Sequence, residues 1–463
     1  MRRRTKIVCT LGPAVDTQAK IRELIDAGMN VARLNCSHGD WVSKRRWIDW
    51  IRSADSSVGI LADLQGPKFR IGLVAGGQIT VKIGQSLTLG SHPEADVPVQ
   101  EKSLLAAIDV GCRALVGDGE VELKVVSGGN GSYVAKAVCG GVIRSRQGLT
   151  IPNRTFDAPS LSEKDLDDLR EAVEAGCDMI ALSYVKTAKD ILDLRDRLSE
   201  LDPTVFICAK IETPEALQHI DTIIHASDAI MVARGDLGLQ IDIEEVPLAQ
   251  KRIIRKCVVA GKPVITATQM LESMIVNARP TRAEAADVSN AILDGTDAVM
   301  LSGETAMGAH PIEAVEIMAK IAQTTDTALD RELFEEALEE AVYSRTLAFA
   351  HSAANLVKSI KPKAVVCTST SGQTPRLLSR FRPRCPILCA TWHPKTKALM
   401  SFVWGVDAIA INLPLDMDEI LRSAVSAFVK GGRLKSGDLI VLTAGVPAGT
   451  AGNTNMILME EVK

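Results

Sequence analysis

The runs FICAKIE (Phe206–Glu212), AIMVARGD (Ala229–Asp236), PVITATQ (Pro263–Gln269) and AVMLSGE (Ala298–Glu304) share one design. Each is a short apolar stretch that stops at polar or charged residues: Lys210 and Glu212, Arg234 and Asp236, Thr268 and Gln269, Ser302 and Glu304. The segments between them are long enough for one helix each. Buried parallel strands read as continuous apolar runs, and strands alternating with helices predict a parallel sheet. Polar groups at the carboxyl end of strand after strand mark the catalytic face of a (β/α)8 TIM barrel.

Four more runs complete the barrel. Thr5–Cys9 ends at Thr10, Asn30–Arg33 ends at Asn35 and Ser37, Gly59–Ala62 ends at Asp63, and Met179–Leu182 ends at Ser183. The helix before the fourth strand is expected to start at Ser162 as N-cap, with Asp165 in its first turn and Leu166, Leu169 and Val173 on its apolar face. Roughly a hundred residues separate Asp63 from Ser162, too many for a loop. Within them Ile79–Ile83, Ser86–Leu89, Ala114–Val116, Val121–Val126 and Tyr133–Val138 read as strands between Gly-rich turns. This predicts a small all-β domain inserted into the barrel. Beyond Ala328, helical stretches precede Ala364–Cys367, Ile387–Ala390, Ala408–Ile411 and Leu439–Thr443, which read as strands of a C-terminal α/β domain. The expected division is a catalytic barrel at 1–68 and 156–328, an inserted β domain at 69–155 and a regulatory domain at 329–463.

Composition sets outer limits. A chain of 463 residues suggests about three domains. Hydrophobic and charged shares of 46% and 24% are those of an ordinary globular protein, and a net charge of −4 gives no general attraction to nucleic acid or anionic membrane. Met1-Arg2-Arg3-Arg4 runs straight into the first strand without an apolar segment, so neither a signal peptide nor a bilayer span is expected. Ten cysteines include no C-x-x-C pair and lie mostly inside apolar runs (Cys9, Cys177, Cys208, Cys257, Cys367), which points to free thiols in a reducing cytoplasm. Trp41, Trp47 and Trp50 beside Lys44, Arg45 and Arg46 read as helix packing with a solvated basic face rather than a nucleic-acid surface.

The chemistry gathers at the strand ends. Carboxylates of Glu212 and Asp236, on adjacent strands, can converge on one hard divalent cation, Mg²⁺ or Mn²⁺, which completes its shell with substrate oxygens and water. Lys210, two residues before Glu212, points the same way and can sit on a phosphoryl group. Arg33 offers a planar fork for phosphate or carboxylate. Gly235-Asp236 is expected to open a Gly-rich turn whose amides bind a carboxylate. A stabilising salt bridge would account for one Lys–Glu pair, but five groups that must converge point to catalysis.

The runs VARLNCSHG (Val31–Gly39), ADLQGPK (Ala62–Lys68), MVARGDLG (Met231–Gly238), ATQMLESM (Ala267–Met274), RPTRAEAADVSNAILDG (Arg279–Gly295) and MLSGETAMG (Met300–Gly308) closely resemble the pyruvate kinase family. The likeness spans the whole chain and is that of a bacterial form, without the N-terminal extension of the animal enzymes. It implies phosphoryl transfer from phosphoenolpyruvate to ADP, giving pyruvate and ATP, the last step of glycolysis. It further implies that Glu212 and Asp236 hold the metal and that Lys210 steadies the phosphoryl in flight. Arg33 would grip the phosphate, with Arg70 supporting it or the nucleotide. Gly235, Asp236 and Thr268 would receive the substrate carboxylate, while Thr268 and Ser302 resemble hydroxyls tied to the proton relay. The likeness implies that the inserted domain is a small β-barrel lid. Asp118 occupies the place of the family's lid acid, although Gly117 stands where many members have a second Asp.

The same likeness carries a departure. Potassium-dependent members have Thr and Glu where this chain has Leu64 and Lys68, while Asn35, Ser37 and Asp63 resemble the remaining cation ligands. The Lys68 ammonium would replace the ion, so K⁺ is not expected to be required. The hydroxyl loop Ser369-Thr370-Ser371-Gly372-Gln373-Thr374 resembles the family's allosteric sugar-phosphate site. Gln373 replaces an Arg common in bisphosphate-binding members, which favours a sugar monophosphate or nucleotide as effector. Arg279–Glu284 resembles a segment near the subunit contact, so a homotetramer follows by analogy. Two rivals use part of this equipment. A metal-dependent aldolase would need neither lid nor C-terminal domain, and a metabolite sensor would need only the last.

Overall fold

The computed structural model describes residues 3–67, 69–92, 94–154, 159–329, 334, 345–412, 417–445 and 454–463. The chain enters through β1 (Lys6–Thr10), β2 (Val31–Asn35) and β3 (Gly59–Asp63). It leaves for the lid, β4 (Gln78–Val81), β5 (Ser86–Gly90), β6 (Val97–Pro98), β7 (Arg113–Val116), β8 (Val121–Gly129), β9 (Ser132–Cys139), β10 (Gly141–Arg144) and β11 (Leu149–Thr150). It returns through β12 (Met179–Leu182), β13 (Phe206–Ile211), β14 (Ala229–Ala233), β15 (Val264–Ala267) and β16 (Ala298–Leu301). The first three and last five of these close a parallel barrel in the order β1-β16-β15-β14-β13-β12-β3-β2.

Every barrel strand is nearly or wholly buried, which is why none alternates in sequence. The two-residue period nevertheless sorts the side chains. Ile7 and Cys9 join the core shared with the surrounding helices, whereas Val8 joins Val31, Leu61, Met231 and Met300 in a second core that runs on into the C-terminal domain. Each such Val, Leu or Ile contributes about 1.5–3 kcal/mol on full burial. The C-terminal domain presses close on the barrel: a Cβ built at Gly59 would lie 2.2 Å from Ser401 Oγ and 2.9 Å from the Phe402 ring.

Ser162 caps the helix Glu163–Glu174 in a reciprocal box with Asp165, and Leu169 is buried on its core face. Asp165 also accepts the amide of Gly66 at 3.1 Å, so the segments on either side of the lid insertion are pinned together. The helix Trp41–Ala54 buries Trp47 and directs the indole N–H of Trp41 to Asp168 at 2.8 Å, as the packing reading requires.

The inserted lid is a β domain, as expected. Its strands form a six-stranded sheet, β11-β7-β8-β9-β5-β6, and a separate ribbon of β10 with β4, around one apolar core. Irregular register at Glu122/Leu123 and Val125/Ser127 bends β8, and β10 leaves β9 to pair with β4. Pairing across the lid depends on such bends, which the strand pattern does not encode. The C-terminal sheet is β17 (Ala364–Thr368), β18 (Ile387–Thr391), β19 (Val406–Ala410), β20 (Leu439–Gly445) and β21 (Thr454–Glu461), ordered β19-β18-β17-β20-β21. The antiparallel edge strand β21 is absent from the sequence reading: its apolar run Met456–Met459 is short, and seven of its eight residues are half-exposed or exposed, as befits an edge strand rather than a buried parallel one. All ten cysteines are free. No helix among the described residues is long and apolar enough to cross a membrane.

Candidate active site

Lys210 stands at the centre of the barrel mouth. It and Glu212 lie two apart at the end of β13, so their side chains share a face. The Lys210 ammonium lies 2.8 Å from Glu212 Oε1, 3.2 Å from Asp63 Oδ1 and 2.7 Å from the hydroxyl of Ser183, which accepts its hydrogen bond. Asp63, at the end of β3, takes the Arg33 Nε on its other oxygen at 2.7 Å, and Arg33 Nη1 donates to Thr10 Oγ1 at 2.9 Å. Three strand ends, of β2, β3 and β13, thus hold one buried chain of alternating charge.

Burial and attraction compete at each group. Burial disfavours the Lys210 cation, but Asp63, Glu212 and Asp236 outweigh it and raise its pKa. Burial also works against the Asp63 anion, yet Lys210 and Arg33 hold its pKa below the usual carboxylate value. Glu212 goes the other way. Burial and the nearby Asp236 exceed the pull of Lys210, so its pKa is raised. Two carboxylates pressed together in this manner form a donor set that a divalent cation relieves, and two hard oxygen groups suit Mg²⁺ or Mn²⁺. Among the described residues, no cluster of three or more His, Cys, Asp or Glu forms a more complete cage.

Gly235 and Asp236 do not lie on the glycine-rich turn expected of them. They occupy the first turn of the short helix Arg234–Gln240, where helix amides are unpaired within the helix. Sequence reading missed this because the apolar spacing of seven residues is too short to announce a helix. The Gly235 amide donates to Thr268 Oγ1 at 2.7 Å. Thr268 and Gln269 both have positive φ, +68° and +54°, a strained path for residues with side chains. Arg234 holds that path by donating to the Thr268 carbonyl at 2.8 Å while paired with Asp287 at 2.7 Å. The Ser302 hydroxyl is buried without a hydrogen-bond partner, and the Ser302 amide is fixed by Glu304 Oε2 at 2.7 Å.

Two cavities meet here. The smaller, about 150 Å³, is lined by Arg33, Asn35, Ser37, Asp63, Leu64, Arg70, Lys210, Glu212 and Asp236. The larger, about 330 Å³, opens between lid and barrel and is lined by Asp118, Leu149, Thr213 and Asp236 among others. Tyr184 lines both. Thr268, Gly235 and Ser302 lie outside the lining of either cavity. Arg70 donates to the Arg146 carbonyl at 3.0 Å. Asn35 Oδ1 accepts the Ser37 amide at 3.0 Å, and Leu64 is buried with its amide on the Ala181 carbonyl. Lys68 and the lid boundary expected at 155–156 lie outside the described residues. Ser183 and Tyr184 received no role from the sequence. Their one signal was position, at the end of β12.

In the C-terminal domain, Ser369 Oγ accepts the Gly372 amide at 3.0 Å, and the Thr370 carbonyl accepts from Thr396 Oγ1 at 2.7 Å. Thr374 and Thr454 hydroxyls meet at 2.6 Å. Gln373 opens a helix of seven residues, Gln373–Ser379, and Ser371 stays half-buried in the loop before it.

Comparison with known proteins agrees across both regions. Residues 2–315 match the family model "Pyruvate kinase, barrel domain", and residues 348–459 match "Pyruvate kinase, alpha/beta domain". The chain is 43% identical over 472 residues to a pyruvate kinase of Geobacillus stearothermophilus, covering 99% of this chain and 80% of that protein. It is 41% identical over 473 residues to one from Mycobacterium intracellulare, covering 100% and 99%. A pyruvate kinase of Mycobacterium tuberculosis is 39% identical over 472 residues, covering 100% of this chain and 99% of that protein.

Proposed function

The chain belongs to the pyruvate kinase family, and we infer from that premise that the cleft beneath its lid carries the family's reaction. The enzyme transfers the phosphoryl group of phosphoenolpyruvate to ADP, giving pyruvate and ATP. One observation carries the assignment of the site: a buried lysine surrounded by Asp63, Glu212 and Ser183, facing Arg33 across a small cavity.

In this reading the phosphate of phosphoenolpyruvate occupies the smaller cavity. Arg33, held by Asp63 and Thr10, presents its fork to the phosphate, and Lys210 lies beside the oxygens on which charge spreads during transfer. Glu212 and Asp236 would hold Mg²⁺ or Mn²⁺, which would supply positive charge to neutralise the transferring phosphoryl group. The amides of Gly235 and Asp236 and the Thr268 hydroxyl receive the substrate carboxylate, the Gly235–Thr268 bond giving way to it. ADP enters beneath the lid, flanked by Arg70 and Asp118, and the lid keeps water from accepting the phosphoryl. Protonation of the enolate is assigned to water ordered by Thr268 and by the orphaned hydroxyl of Ser302, since a threonine is a weak acid on its own.

Pyruvate formation from phosphoenolpyruvate and ADP with Mg²⁺, measured beside Lys210→Met, tests the assignment. We expect turnover in the parent and a loss of about a thousandfold in the variant. A variant as active as its parent would remove Lys210 from the reaction.

Potassium is not required in this reading, with Lys68 supplying the missing charge. Asp63 supports it, since both of its oxygens already face Arg33 and Lys210. Rates should be alike in K⁺ and in tetramethylammonium at equal ionic strength, and strong activation by K⁺ would end the idea. The loop at Ser369–Thr374 is assigned to a phosphorylated effector, a sugar monophosphate or nucleotide, acting within a cytoplasmic homotetramer. Its supports are the likeness of the loop and its place between β17 and a helix.

A further inference from the structure

Between the two cavities stands the dipeptide Ser183-Tyr184, where the chain leaves β12. Ser183 is 2% exposed. Its hydroxyl donates to the Leu64 carbonyl at 2.7 Å and accepts from Lys210 Nζ at 2.7 Å. A hydroxyl has one proton, so the bond to Leu64 fixes which way its lone pairs face. They face the ammonium. The next residue turns sharply: Tyr184 has φ +54°, and its amide donates to Glu212 Oε2 at 2.7 Å. A bulky side chain at positive φ costs on the order of 1–3 kcal/mol and persists only where its surroundings impose it. The loop after β3 imposes it here. Gly66 packs so closely behind the turn that an added Cβ would lie 2.9 Å from Ser183 Cβ.

The ammonium has three close neighbours: it donates a hydrogen bond to Ser183 and forms ion pairs with Asp63 and Glu212. Glu212 is also the carboxylate assigned to the metal, so it cannot serve as a constant anchor for Lys210. Asp63 is shared with Arg33. Ser183 alone of the three has no second charged partner at a short distance, its contact with Asp63 being 3.5 Å.

We propose that Ser183 is a positioning residue for phosphoryl transfer, its hydroxyl fixing the Lys210 ammonium while the same turn, through the Tyr184 amide, aims Glu212. The inference rests on the phosphoryl-transfer reading above.

The test compares Ser183→Ala with Ser227→Ala in the full-length enzyme. Ser227 is also fully buried and hydrogen-bonded, its hydroxyl donating to the Ile223 carbonyl at 2.8 Å, but it lies at a helix end away from the site. Both variants should lose similar thermal stability. Only Ser183→Ala should lose kcat, on the order of a hundredfold, because a reacting group displaced by about 1 Å costs that much. Its KM values for phosphoenolpyruvate and ADP should stay within about threefold of the parent, as expected when a transition-state interaction is lost. A kcat within about twofold of Ser227→Ala, or a raised KM with kcat retained, overturns the proposal. If Ser183→Ala does not fold, Ser183→Cys is read by the same criteria, its weaker acceptor giving an intermediate kcat. A parent enzyme that forms no pyruvate would defeat the phosphoryl-transfer reading itself, whereas an active parent with an equally active Ser183→Ala defeats only the positioning role.

Discussion

The barrel mouth and the hydroxyl loop at Ser369–Thr374 both lie where a parallel strand gives way to a helix, yet they are held in opposite ways. At the mouth, Arg33, Asp63, Lys210 and Glu212 are charged and satisfy one another across three strands. In the loop the groups are neutral and held by single hydrogen bonds, Ser369 to Gly372 and Thr374 to Thr454. Burying an ion costs several kcal/mol, and mutual attraction offsets this only when the geometry is good. A fold therefore gains little stability from four buried charges that it could not obtain more cheaply from apolar side chains. Chemistry accounts for the mouth in a way that stability does not. The loop makes no such demand, because a hydroxyl that caps a turn costs almost nothing.

If that contrast holds, damage at the mouth should spread and damage in the loop should stay local. Asp63→Asn leaves Arg33 and Lys210 undercompensated, and we expect a stability loss of about 3–5 kcal/mol in urea unfolding with m unchanged. A loss below about 1 kcal/mol would mean that the charges are not coupled. Acid sharpens the test. The Asp63 pKa is depressed in the folded chain, so its contribution is fully present above the unfolded carboxylate value of about 3.9 and disappears as pH falls through the lower folded value. The advantage of the parent over Asp63→Asn should therefore hold from pH 7 to about 4 and shrink below it.

Metal should produce the next largest effect. Glu212 is raised by burial and by Asp236, so a bound divalent cation removes a repulsion present without it. Mg²⁺ at about a hundred times its Kd should stabilise the enzyme by about 2.7 kcal/mol, and chelation should reverse the gain. Asp236→Asn should abolish the response. A variant that retains it would place the metal elsewhere.

The smallest change is expected in the loop. Thr374→Val removes one neutral hydrogen bond and should cost about 1 kcal/mol. Phosphoenolpyruvate saturation, followed with sugar monophosphates and AMP, should shift in the parent and less in this variant. Curves that no candidate moves would end the effector reading.

Lys210, Glu212 and Asp236 were legible in the chain because a parallel barrel forces the ends of its strands to one face, whatever its loops do. Ser162 was legible because a cap is a local bond. Other features depended on contacts distant in sequence. Ser183 and Tyr184 gave no signal beyond their place after Leu182, since the partners that give them meaning, Lys210, Glu212 and Leu64, lie 27, 28 and 119 residues away. The helix start at Gly235 was hidden by its shortness, and the ribbon of β10 with β4 by bends that leave the apolar pattern untouched.

The sequence by itself determined the barrel, the order of its strands and the residues at its mouth, because burial on both faces and a two-residue side-chain period are properties of each segment alone. The tertiary structure decided which of those residues touch, how the proton of Ser183 is committed and why Tyr184 accepts a left-handed backbone. Those are outcomes of packing between segments, where a loop pressed from behind and an ammonium set between Asp63, Glu212 and Ser183 fix the arrangement.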